Sequence, residues 1–224
     1  MEGKCGMKTR RIVTIVFAAS LFLACGDDPF NPGQNDDSRF YPLAVGNTWN
    51  YTRFGTYNID SLSYTIVGSS TVNITGTAQH SGGFQVFVEE TMISDTIQGL
   101  MVVETADTSY IRVTSAGFFG YPGISSTDSS WTVPFPLITG MVWAFQTEPA
   151  VTGEILSLTA DVSVPAGNFQ DCLEMRTTWI EGGNVVNTAD FAPNVGMVRN
   201  IYSQGAGQFT TEVTSRLSSF DLAE

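Results

Sequence analysis

The sequence predicts an all-β fold: a curved antiparallel meander sheet, half-barrel or barrel-like, with few short helices. Three observations predict it. Apolar residues recur with period two over several stretches, as strands with one wet face require. Clusters of Gly, Pro and Asn separate those stretches. Beyond the first 24 residues no window keeps an apolar stripe of helical period over three turns. One-sided burial favours antiparallel pairing, because parallel strands are covered on both faces and read as continuous apolar runs.

The chain opens on a segment that stands outside this fold. Lys8, Arg10 and Arg11 precede an apolar run from Ile12 to Ala24, shorter than the about 20 residues a helix needs to span a bilayer. Residues 1–24 therefore read as an export signal removed at maturation, with Met1 or Met7 as the start. Leu21-Phe22-Leu23-Ala24-Cys25 closes the run on a small residue followed by cysteine. This stretch resembles the lipobox of bacterial lipoprotein precursors, from which Phe22 and Leu23 depart. The resemblance implies cleavage before Cys25, a diacylglyceryl thioether on its sulfur, and attachment to the membrane of the cell envelope through that lipid. Two or three acyl chains anchor a protein firmly where one binds only reversibly. Gly26 rather than Asp after the cysteine points, on the same resemblance, to the outer membrane. An ordinary secretory signal with a chance cysteine is the alternative, and it too exports the domain.

Residues 25–39 follow as an acidic tether, broken by Pro29, Pro32 and Gly33 and carrying Asp27, Asp28, Asp36 and Asp37. These acids lack the alternating D-x-D-x-D-G pattern of a calcium loop, so they read as a solvated spacer. Residues 40–224 then form a single β domain. Leu62, Tyr64, Ile66, Val72 and Ile74 alternate with polar neighbours. Phe84, Val86 and Val88 do so against Gln85 and Glu89, and Leu156, Leu158, Ala160, Val162 and Val164 against Ser157, Thr159, Asp161 and Ser163. Phe209, Val213 and Leu217 give a last strand against Gln208, Glu212 and Arg216. Turns fall at His80–Gly83, Val164–Gly167, Glu181–Asn184 and Ala192–Gly196, where Gly and Asn tolerate positive φ and Pro fixes φ.

An internal echo runs through the domain. Pro42-Leu43-Ala44-Val45-Gly46-Asn47-Thr48-Trp49-Asn50-Tyr51 recurs over residues 136–145, matching Pro136, Leu137, Gly140, Trp143 and the closing aromatic Phe145. Gly82-Gly83-Phe84-Gln85 with Glu89 recurs as Gly167-Asn168-Phe169-Gln170 with Glu174. Either a turn-strand unit is used twice or the domain is duplicated. In both cases Gly makes the turn, and Trp shares a strand face with the aromatic two residues on, forming an apolar plug at a sheet margin.

Composition excludes several functions. From Cys25 onward the chain holds six arginines, no lysine and 21 carboxylates, a formal charge of −15. Such a body repels phosphate polyanions, so nucleic acid is not an expected partner, and a membrane contact must come from the anchor rather than a basic face. Without lysine there is no Schiff-base chemistry. With Cys5 in the leader and Cys25 acylated, Cys172 is left alone and no internal disulfide forms. One His and three Cys without ligand spacing predict no metal, and no cofactor is expected. His80, the single imidazole, sits in a Ser-Gly-Gly loop, and no nucleophile elbow, phosphate loop or H-E-x-x-H occurs. Glu89 and Glu90 adjoin on a strand and face opposite ways, which disqualifies them as a catalytic pair. The chain reads as a non-enzyme.

The Pro-Leu-x-x-Gly-x-x-Trp-x-Tyr motif at 42–51 is one of three motifs that occur together. The others are Val162-Ser163-Val164-Pro165-Ala166-Gly167-Asn168-Phe169 with Cys172, and Val195-Gly196-Met197-Val198-Arg199. Together they resemble a family of uncharacterised bacterial envelope lipoproteins, over residues 40 to about 204. The resemblance implies a curved antiparallel sheet similar to the half-barrel of periplasmic lipoprotein carriers, whose concave face can hold an acyl chain. It implies no activity.

Two roles follow. In the first the chain is a structural or docking lipoprotein whose aromatics plug the half-barrel and whose partner is another envelope protein. In the second it carries a lipid or other lipophile on the concave face. For that ligand the candidates are Phe118, Phe119, Tyr121, Phe135 and Met141, which fall in a long, irregular, aromatic segment.

Overall fold

The computed structural model describes residues 36–98, 100–147, 150–180 and 184–223. Alternating apolar and polar residues lay these segments out as twelve strands after one 3-10 turn, Asp36–Phe40. The strands are β1 Thr48–Ile59, β2 Leu62–Gln79, β3 Gln85–Ile97, β4 Met101–Thr114, β5 Gly117–Tyr121 and β6 Trp131–Pro134. They continue as β7 Val142–Thr147, β8 Ala150–Val164, β9 Gly167–Ile180, β10 Asn184–Ala192, β11 Gly196–Ala206 and β12 Phe209–Asp221. All pairings are antiparallel, in the order β6-β5-β4-β3-β2-β1-β12-β11-β10-β9-β8-β7. The expected meander is thus present, as an open, curved sheet not closed into a barrel.

The order resolves the sheet into two consecutive six-strand meanders, β1–β6 and β7–β12, joined where β1 pairs with β12. Each opens on one copy of the Pro-Leu-x-x-Gly motif, and the two copies make the same bonds. The Gly46 amide donates to the Ile74 carbonyl and that of Gly140 to Ile155, both at 2.8 Å. Asn47 N–H donates to Ala44 O, as Met141 N–H does to Ile138 O, while Ile74 and Ile155 donate back to Asn47 O and Met141 O. Gly46 and Gly140 have φ of 102° and 82°, the left-handed region that a side chain disfavours. Ile74 and Ile155 are both buried. The plug expected of the motif lies at a margin in one copy only: β7 is an edge strand, whereas β1 is central and paired on both sides.

Bulges shift the predicted faces. On β8 the register against β9 shifts three times, between Ile155 and Ser157, between Ser157 and Ala160, and between Ala160 and Val162. A slip of one residue exchanges inside for outside, so Ile155 is buried in place of the expected Leu156, while Val162 keeps its inward face. On β3, Phe87 is buried as well as Val86, and the residues of its parity, Glu89, Thr91 and Ile93, line the concave side rather than the wet one. The turn at Ala192–Gly196 carries Asn194 at φ 59°, as expected for a corner that needs αL. Three residues of the expected Glu181–Asn184 turn, 181–183, lie outside the described residues.

The core follows the concavity. One cluster joins Phe40, Tyr41, Phe118 and Val133 to Ile155, Leu173, Met175 and Phe191. Another joins Trp49, Tyr51, Ile74 and Phe87 to Val162, Cys172, Val198 and Leu217. Residues 36–43 lie along the trough as a strap. The Leu137 amide donates to Asp37 Oδ2 at 2.9 Å, the Asn194 amide donates to Arg39 O at 2.7 Å, and Asn47 Nδ2 donates to Pro42 O at 2.8 Å. The last residues of the expected tether therefore belong to a folded turn.

Candidate functional site

Under the strap the trough is not filled. A cavity of about 420 Å³ remains, within the ~300–1,000 Å³ of small-molecule sites. Its wall comes mainly from the first meander, because the trough-facing residues there are small or polar: Ser70 on β2, Thr91 on β3, Ser109 on β4 and Gly120 on β5. Aromatic rings close the rest, from Trp49 and Tyr51 on β1, Phe118 on β5, Trp131 on β6 and Tyr41 on the strap. Two cross-trough bonds fix the β1 rings: Trp49 Nε1 donates to the Val195 carbonyl, and Tyr51 Oη donates to the Met197 carbonyl at 3.0 Å. Tyr41 lies 4.2 Å between ring centroids from Phe118, which meets Trp131 edge-on at 4.8 Å.

Two side chains of the charged types, Arg53 and Glu89, line this cavity. Arg53 on β1 reaches over β2 to Asp95 on β3, donating from Nε and Nη2 at 2.9 Å, and from Nη1 to Ser215 Oγ at 2.9 Å. The register explains the reach: Gly68 stands opposite both Arg53 and Asp95, and a Cβ there would come within 2.1 Å of Asp95 Oδ1. Glu89 is different. Its carboxylate accepts one bond, from Ser109 Oγ at 3.2 Å, and among the described residues no ion pair reaches it. Burial pushes its pKa up to about 7, opposed by the Ser109 bond and reinforced by the negative charge of Asp107. Burial likewise raises the Tyr51 phenol, with the Glu89 charge adding to it.

Of the five expected ligand contacts, Phe118 lines the cavity. Phe135 and Met141 pack against the core cluster that contains it and do not line the cavity. Phe119 and Tyr121 take the other face of β5, and Tyr121 meets His80 and Phe84 at ring distances of 4.8 and 5.7 Å. Cys25 lies outside the described residues. Glu89 is the site residue the sequence reading placed on the wrong face; the signal that could have found it is the parity it shares with Phe87 and Ile93.

The groups weighed for chemistry have structural surroundings. His80 is buried, stacks on Phe84 at 4.5 Å, and accepts the Gly82 amide at Nδ1. The Cys172 thiol is buried, and that burial, with Asp190 and Asp161 adding, pushes its pKa up to about 11, away from the thiolate a nucleophile needs. Among the described residues no group of three His, Cys, Asp or Glu side chains converges as metal ligands would.

No family model matches the chain, and no curated protein matches it. Among solved structures, a candidate exported protein with a YmcC-like fold from Bacteroides fragilis is similar at 14% identity and a TM-score of 0.48, over 81% of this chain and 98% of that one. A candidate lipoprotein from Parabacteroides distasonis is similar at 15% identity and a TM-score of 0.43, with the same coverage. Likeness at this level assigns neither a family nor an activity.

Proposed function

We propose that the chain is a lipid-anchored cell-envelope protein, more specifically of the outer membrane, whose trough holds a small apolar ligand without transforming it. The leader that ends at Cys25 supports the address. The observation that carries the ligand is the unfilled space: a purely structural half-barrel would be plugged by its aromatics, and here the strap and rings leave about 420 Å³ between them. A space that size with mostly aromatic walls suits a short alkyl or aromatic compound. Native mass spectrometry of the mature chain extracted in mild detergent tests this. A co-purifying small molecule of constant mass, retained at low collision energy, is the expected result, and its absence from repeated preparations at matched detergent overturns the reading.

A docking role is favoured by a separate feature. On the face of β2, β3 and β4 turned away from the trough, Val67, Met92 and Val102 are all more than half exposed. Such a patch on a sheet wing is the kind of surface an envelope partner covers.

A further inference from the structure

Glu89 makes the trough more than a greasy space. Glu89 is half-buried in the trough wall, and a carboxylate that has given up part of its hydration gains from a cation or from several hydrogen-bond donors. Glu89 has one neutral donor, Ser109. The guanidinium that shares its cavity, Arg53, is already bound to Asp95 and Ser215 and is held there across Gly68. The nearby charge of Asp107 adds repulsion rather than relief. The rest of the cavity is largely aromatic: Trp49, Tyr51, Trp131 and Tyr41 line it, and aromatic faces attract cations. The whole chain is anionic, with six arginines and no lysine from Cys25 onward, so its field draws cations inward.

We propose that the trough selects a monovalent organic cation, an amine with an apolar alkyl or aromatic body, whose ammonium group pairs with the Glu89 carboxylate while its body lies among the rings. This rests on the reading of the trough as a ligand site and adds the chemical class of the ligand. Glu89 would be the one strong polar contact, and the rings would supply area and cation–π attraction.

The test compares hexylamine with hexan-1-ol, which share a body and differ in charge, by titration calorimetry at pH 8 against the mature chain in lipid nanodiscs, with empty discs as the blank. Hexylammonium is expected to bind at least about ten-fold more tightly than hexanol. In Glu89→Gln the two affinities should come within about three-fold, through loss of amine binding rather than of hexanol binding. Retained hexanol binding by the variant shows that its cavity is intact. Equal affinities in the unsubstituted chain, or a preference that survives Glu89→Gln, overturn the amine assignment and leave an apolar site standing. Binding of neither compound overturns both.

Discussion

The two meanders share a plan and differ in what fills it. Each starts on the same glycine turn, with matching hydrogen bonds and a buried isoleucine on its second strand. On the third strand they part. In the second meander β9 turns Leu173 and Met175 inward, at 0% and 1% exposure, against Ile155 and Phe191. In the first, β3 turns Glu89, Thr91 and Ile93 toward the cavity. The second strands differ likewise. Gly153 on β8 lies beneath the Trp143 ring, which a Cβ would meet at 2.2 Å, whereas Gly68 on β2 lies beneath the Arg53–Asp95 pair. One half is thus closed by apolar packing, while the other spends its inward positions on polar groups that leave room. A repeated scaffold lets one copy supply close packing while the other leaves space.

The largest expected effect breaks this contrast directly. Leu173→Ala removes a fully buried side chain and should cost about 3 kcal/mol, within the range for such cavities. Ile93→Ala trims the wall of a space already open to water and should cost about 1 kcal/mol. Urea unfolding of both variants checks the difference, and equal losses would mean the first meander is as tightly packed as the second.

Next comes the charge. The Glu89 pKa is raised from 4.5 to about 7, so the folded state holds this proton more tightly than the unfolded chain does. The sign follows: its contribution to stability is greatest below the unfolded value and is lost as pH rises through the folded one. Across pH 4.5 to 7.5 that loss is about 3 kcal/mol. Glu89→Gln has no such proton, so at pH 8 it should be more stable than the unsubstituted chain, with a flatter profile over the same window. Urea midpoints measured at half-unit steps of pH check both features.

The smallest effect sharpens the equivalence of the halves. Alanine at Gly46 or Gly140 forces a Cβ into the left-handed region, at about 1–2 kcal/mol each. Because the turns make the same bonds, the two losses should agree within about 0.5 kcal/mol in thermal melts.

Much of this was legible in the sequence for definite physical reasons. Period two, with Gly, Pro and Asn between the runs, announced an antiparallel sheet, and the turns at His80–Gly83, Val164–Gly167 and Ala192–Gly196 stand between strands as expected. The echo of Gly46 at Gly140 was visible because positive φ restricts the residue choice. Pairing was not visible: nothing local says that β1 meets β12 across 160 residues, so Trp49 reads as a margin residue though its strand is central. Faces failed where bulges intervened, as at Ile155, since an extra residue inverts parity without any mark in composition. Glu89 was hidden for a related reason. A charged residue on an amphipathic strand is assigned to water by default, and only the assembled trough shows that this one looks inward.

The account's central claim is that the first meander keeps its space for a ligand. It is tested most directly by quenching of tryptophan fluorescence with 6-bromohexan-1-ol in the nanodisc-held chain, because Trp49 and Trp131 line that space while Trp179 on β9 packs on Tyr202 at 6.4 Å between ring centroids. The account predicts saturable quenching at one equivalent per chain, diminished by Trp131→Phe and unchanged by Trp179→Phe. Quenching that rises linearly without saturation, or that is indifferent to Trp131, would contradict it.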